Sequence, residues 1–205
     1  MPDEPLIFVE VALTKGIPGS VQALLAEDRD AMPATKADTA VFYSISNCQA
    51  GLASISFGNS LIKQVAFDLS TELSGLKTFV TLSPIPGLTR WLKLAGVTWN
   101  TDEPENMQAL AAHYLLNAKS GDELPFDPVA RFHLGNGAIV HAVHANADIS
   151  DKGRAQSGGT MVNYLYDLPK VAQNHENFAN TRKVVATPAV RTLAEAVALP
   201  STEER

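Results

Sequence analysis

Residues 43–63 read Y-S-I-S-N-C-Q-A-G-L-A-S-I-S-F-G-N-S-L-I-K, and residues 78–92 read T-F-V-T-L-S-P-I-P-G-L-T-R-W-L. The first stretch is the end of a strand, a loop bearing Gly51 and Gly58, and the opening of a helix near Asn59 or Ser60. The second is a strand that runs into a serine followed by two prolines. Backbone N–H groups at the start of a helix face outward unpaired, and the helix dipole favours an anion there. The loop Ala53, Ser54, Ile55, Ser56, Phe57, Gly58, Asn59 therefore has the layout of a phosphate cradle, with Lys63 one turn further in. An ordinary strand-to-helix turn fits the same residues.

Working outward, Leu61, Ile62, Val65, Ala66 and Leu69 recur at helical spacing, so the spacing predicts a helix over Ser60 to Glu72 that Gly75 stops. Thr39 to Ser46 before it and Lys77 to Leu82 after it read as strands, which makes a β-α-β unit with neighbouring parallel strands. Leu6 to Leu13 is an apolar, β-branched strand. Ser20 is an N-cap for a short helix over Val21 to Glu27. The five residues from Ser83 to Gly87 should form no regular structure, since each proline fixes its own φ and restricts its neighbour. Short helices follow at Leu88 to Leu94, Asn106 to Leu116 and Ala189 to Ala198. Val129 to Leu134 and Ala138 to His144 flank Asn136-Gly137 and read as a hairpin. Asp148 to Gly159 reads as a polar loop. The sum is a mixed α/β (α+β) sheet flanked by helices, without a G-x-G-x-x-G fingerprint.

Bulk properties narrow the partners. The chain has 205 residues, 45% of them hydrophobic, and a formal net charge of −6. That suits one globular domain and argues against a nucleic-acid surface. The lone Cys48 leaves no intramolecular disulfide framework and no zinc spacing. No apolar run reaches membrane-spanning length. The opening M-P-D-E-P carries no signal or transit pattern, so the expected location is cytoplasmic. A core strand so close to Met1 calls for cover, from another copy of the chain or from a partner.

Three side-chain types could carry chemistry. Ser83, held between a strand end and two prolines, can aim a hydroxyl at a substrate carboxylate; it also fits a plain turn. No G-x-S-x-G elbow surrounds it, so a hydrolytic nucleophile is not indicated. His133, His141 and His144 fall within twelve residues. A metal is disfavoured because His141 and His144, three apart on a strand, should point to opposite faces. His133 suits a general acid, or a packed core histidine. Tyr164 and Tyr166 share a face if extended, and either phenol could donate into a pocket or simply pack.

Taken together, F-Y-S-I-S, Q-x-G-L, G-x-x-L-I-K, T-L-S-P-I-P-G-x-x-x-W-L, F-H-L-x-N-G-A and M-x-N-Y-x-Y resemble the catalytic domain of malonyl-CoA decarboxylases, from about Pro5 to Leu168. The resemblance implies a sheet like that of GCN5-related N-acetyltransferases, with acyl-CoA in a cleft between splayed central strands. It implies conversion of malonyl-CoA to acetyl-CoA and carbon dioxide with no metal and no organic cofactor, CoA being part of the substrate. It places the catalytic roles on Ser83, His133 and Tyr166, and the CoA pyrophosphate on the loop Ala53 to Asn59. The family pattern carries an acidic residue where this chain has Ser56. The family also has an N-terminal helical domain used in assembly, so residues 1–205 read as a single catalytic domain, truncated or minimal. An acyltransferase on the same fold, or a CoA-binding remnant without catalysis, are the alternatives.

Overall fold

A computed structural model describes residues 7–28, 32–47 and 58–197. Among these residues six strands form one mixed sheet. They are β1 (Ile7–Thr14), β2 (Thr39–Asn47), β3 (Thr78–Thr81), β4 (Ser83–Pro84), β5 (Ile139–His144) and β6 (Met161–Leu165). β1 and β2 are antiparallel, β2 and β3 parallel. β3 and β4 both lie antiparallel to β6, and β5 pairs with the other side of β6. Eight α-helices among the described residues surround it: α1 (Val21–Leu25), α2 (Gly58–Glu72), α3 (Leu88–Leu94), α4 (Pro104–Asn117), α5 (Pro128–Gly135), α6 (Asp151–Ser157), α7 (Val171–Thr181) and α8 (Pro188–Glu195).

The alternation of side chains divides the core between the two faces of the sheet. Phe42 and Phe79 join Ile62 and Ala66 of α2 in the larger cluster, with residues of α3, α4, α5, α7 and α8. Val41, Val80 and Leu82 point the other way, into a smaller cluster with Leu24 of α1, Ala147 and Met161. The expected β-α-β unit is present as β2-α2-β3, and its strands are parallel as the pattern required.

The sheet splits beside Ser83-Pro84. β2 pairs with β3 only from Thr39↔Thr78 to Phe42↔Thr81, while β2 itself runs on to Asn47. At the same point the β1–β2 register skips Tyr43: Val11 pairs with Phe42 and Glu10 with Ser44. A bulge of this kind bends its strand and strengthens the twist, which carries the end of β2 away from β4.

Three expectations fail, each for a local reason. The Asn136-Gly137 hairpin does not form; Val129 to Leu134 is the body of α5. Asp127 caps that helix by accepting from the Val129 and Ala130 amides, and Pro128 occupies its first position, where no N–H is needed. Asn136 and Gly137, the latter at φ +85°, end the helix instead of turning a hairpin. The polar stretch around Asp151 is helical as well, capped by Ser150 and stopped by left-handed Gly158. Ser83–Pro84 is regular after all, because among the described residues β4 pairs only with β6, and proline is tolerated on a strand with no neighbour on its other side.

Candidate active site

β4, α5 and β6 bring Ser83, His133 and Tyr166 together. Ser83 Oγ lies 3.2 Å from His133 Nε2, and His133 Nδ1 lies 2.8 Å from the Tyr166 hydroxyl. The three residues expected to act together are therefore in contact through one imidazole. His133 is only 4% exposed and Ser83 6%. In α5 the buried positions Ala130, His133 and Leu134 follow helical spacing, so the turn that packs the helix also turns the imidazole inward.

Thr81, not singled out from the sequence, and Tyr164, singled out as a donor or a packing ring, complete the arrangement. Ser83 Oγ donates to Thr81 Oγ1 at 2.8 Å, and the Tyr164 amide donates to the same oxygen at 3.1 Å. The Tyr164 ring stacks on His133, with centroids 4.6 Å apart and planes at 24°. The Tyr164 hydroxyl is buried and has no hydrogen-bond partner among the described residues.

The reason lies in the β3/β4–β6 ladder. Val80↔Leu165 and Ser83↔Val162 keep one register, and the Tyr166 amide donates to the Phe79 carbonyl. Regular pairing would next place the Tyr164 amide on the Thr81 carbonyl. Instead the Thr81 hydroxyl takes that amide, and the Thr81 carbonyl accepts from Asn163 Nδ2 at 2.8 Å. Asn163 also donates to the Pro18 carbonyl and accepts from His144 Nε2. Two side chains thus replace a missing rung.

Asp127 ties the two halves of the site. Its carboxylate accepts from the Val129 and Ala130 amides at the head of α5, from the Gly87 amide and from the Tyr114 hydroxyl. Gly87 ends the turn that begins at Ser83. A Cβ there would fall 2.3 Å from the Tyr114 hydroxyl oxygen, so the corner has to be glycine.

Burial sets the charges. It holds the His133 pKa down at about 3, so the imidazole is neutral at physiological pH. It pushes the Tyr166 phenol far above its usual range, and the Tyr164 phenol likewise, with the Asp127 carboxylate adding to the second. Asp127 itself is raised by burial, against the pull of the amides it accepts from. Beside Tyr166 a cavity of about 420 Å³ is lined also by Phe79, His141 and Asp167.

Strand parity does not separate the other histidines. The β5–β6 register shifts between Val140 and Ala142, so Val140 and Val143 are both buried and His141 and His144 are both half-buried. His144 in fact helps depress the His141 pKa, after burial. Among the described residues no group of three or more His, Cys, Asp or Glu could hold a metal ion. Ala53, Ser54, Ile55, Ser56 and Phe57 lie outside the described residues; Gly58 and Asn59 open α2.

The mixed sheet with its split parallel pair is a GNAT-like fold. The GphF GNAT-like decarboxylase, solved with isobutyryl-CoA, shares the fold at 18% identity and a TM-score of 0.54, over 78% of this chain and 71% of that one. A malonyl-CoA decarboxylase from Agrobacterium vitis superposes with a TM-score of 0.87 at 46% identity, over 94% of this chain and 54% of that one. The mitochondrial malonyl-CoA decarboxylase of Anser anser anser is 32% identical over 93% of this chain and 47% of its own length. The family model for the malonyl-CoA decarboxylase C-terminal domain matches residues 1–104 and 98–204, and the chain belongs to that family. It spans about half the length of the curated relatives it matches. No helix among the described residues is long and apolar enough to cross a membrane.

Proposed function

We propose that this chain removes carbon dioxide from malonyl-CoA to leave acetyl-CoA. The observation that carries the proposal is the contact of Ser83 with one nitrogen of a buried, neutral His133 whose other nitrogen meets Tyr166. The family membership supplies the substrate class.

In this reading the malonyl thioester enters the split between β2 and β4. Ser83 turns its hydroxyl to the terminal carboxylate and holds it out of the thioester plane. The bond between the carboxylate carbon and C2 breaks, carbon dioxide leaves, and the electron pair passes into the thioester as an enolate. His133 then gives its Nε2 proton to C2 while Tyr166 donates to Nδ1. Once acetyl-CoA has left, water entering the split returns a proton to Nε2 by way of Ser83, and Nδ1 gives its own proton back to the phenol. A proton is consumed overall, and the thioester is its own electron sink, so the chemistry needs neither metal nor organic cofactor. An enolate carbon is a strong enough base to take a proton from a neutral imidazole. A buried, uncharged acid also avoids the cost of holding an ion in the core. The amides of residues 53–59, which run into the start of α2, are the proposed seat of the CoA pyrophosphate.

Incubation with malonyl-CoA and mass analysis of the products tests this. Acetyl-CoA formed without any acceptor supports it. CoA release that depends on an added amine would indicate acyl transfer, and tight binding without turnover a non-catalytic binder.

A further inference from the structure

The hydrogen bonds from Tyr166 to Thr81 form one buried wire, and its direction decides which imidazole nitrogen carries the proton. Four groups take part: the Tyr166 hydroxyl, His133, the Ser83 hydroxyl and the Thr81 hydroxyl. The Tyr164 amide joins at the Thr81 end and can only donate. In one direction Tyr166 donates to Nδ1, Nε2–H donates to Ser83, and Ser83 donates to Thr81. In the other, every bond reverses: Thr81 donates to Ser83, Ser83 to Nε2, and Nδ1–H to Tyr166.

Each direction leaves one hydrogen at its end without an acceptor among the described residues. In the first it belongs to Thr81, an alcohol; in the second to Tyr166, a phenol. A phenol is the more acidic and stronger donor, so stranding it costs more. The first direction wins, and it depends on Thr81 having a lone pair left for Ser83 after accepting the Tyr164 amide. All four hydroxyl- or imidazole-bearing residues are 6% exposed or less, so bulk water does not offer Ser83 a substitute.

We infer that Thr81 is a positioning residue that selects the tautomer of His133. By accepting the Ser83 hydroxyl it keeps a Ser83 lone pair facing Nε2, and so keeps the proton on Nε2, on the Ser83 side of the ring. Without the Thr81 hydroxyl, the only partner left for the Ser83 O–H among the described residues is Nε2 itself. The ring then protonates on Nδ1, and the proton leaves the side where C2 would be. Nothing about the catalytic pair need move for this to happen. The role in turnover rests on the decarboxylase reading above; the tautomer itself does not.

The test is ¹⁵N-resolved NMR of the imidazoles in the 205-residue chain, with the His133 signals identified by their loss in His133→Gln. Wild type should show the Nε2–H form, Thr81→Val the Nδ1–H form, and Thr81→Ser the Nε2–H form again. In parallel, Thr81→Val should lose about tenfold in kcat/KM with malonyl-CoA, because the ring must move its proton back to Nε2 before Ser83 can turn to the carboxylate, and Thr81→Ser should restore it. A purely structural Thr81 would lower the melting temperature of Thr81→Val and leave the tautomer alone; that outcome overturns the inference. Should Thr81→Val not fold, wild type decides: an Nδ1–H signal there overturns it, and Nε2–H upholds it. If wild type releases no carbon dioxide from malonyl-CoA, the decarboxylase reading fails while the spectrum still decides the role of Thr81.

Discussion

The sheet comes apart in two places, and the two are handled in opposite ways. Between β2 and β3 the parallel ladder stops at Phe42↔Thr81, and a bulge at Tyr43 leads the longer strand away. Between β3/β4 and β6 the register is unbroken, yet its middle rung is made by the Thr81 hydroxyl and the Asn163 amide. The first opening creates room. The second creates a polar spot inside the core, and Ser83 and His133 are docked on it. A cleft and a set of aimed hydroxyls therefore come from the same strand, β3 with its continuation β4, losing ordinary contact on both flanks.

Removing the docked groups should have the largest effect. His133→Ala and Ser83→Ala should each cut kcat at least about a hundredfold, with CoA affinity by calorimetry nearly unchanged. Turnover near wild type in either variant would take that residue out of the mechanism.

Next comes the stitching itself. Asn163→Leu strands the buried Thr81 carbonyl and the His144 donor, and should cost about 2–4 kcal/mol of stability in denaturant melts. Ser44→Ala, on β2 beyond the open split and half-buried, should stay within about 0.5 kcal/mol. Equal losses in the two variants would erase the distinction between a stitched gap and an open one.

A smaller effect separates burial from chemistry. With its pKa near 3 in the fold, His133 takes up a proton on unfolding at any pH between about 3 and 6.5. The unfolded chain binds more protons there, so stability falls as pH drops through that window and is unaffected above it. The difference in melting temperature between wild type and His133→Gln should shift against wild type from pH 8 to pH 5. A difference that holds constant over that range would mean that the imidazole is not desolvated.

The smallest change expected is a gain. The Tyr164 hydroxyl is buried without a partner, so Tyr164→Phe keeps the stack on His133 and removes a stranded polar atom. Melting should be equal or raised, by up to about 1 kcal/mol. A clear loss would point to a bridging water between that phenol and Asp127.

Much of this was readable from residue order. The β-α-β unit announces itself through helical spacing between two β-branched runs, and Ser83, His133 and Tyr166 sit in blocks specific enough to be grouped. The element carrying His133 was misread because Asp127-Pro128 and Asn136-Gly137 are each compatible with two structures. An Asp-Pro pair can lead into a strand or cap a helix, and Asn-Gly can turn a hairpin or end a helix; packing of Ala130, His133 and Leu134 decides. Thr81 and Asn163 stand inside two of those blocks, T-L-S-P-I-P-G and M-x-N-Y-x-Y, with no role attached to them. A further signal is a polar residue where alternation demands an apolar one, Thr81 in step with Phe79 and Asn163 between Val162 and Tyr164. Such a residue is easily passed over, since only the partner strand shows what it bonds to.

The two margins of the sheet also differ. Along β5, Val140 donates to the Val185 carbonyl and accepts from the Thr187 amide, a short parallel bridge supplied by the chain just before α8. Along β1, eight residues have no strand neighbour on their outer side among the described residues, and Phe8 is exposed there. A ribbon closed at one margin can grow by a single step only. Pairing through the bare β1 margin would join two copies about a two-fold axis, while the residues that lead into the last helix block the β5 margin at Val140.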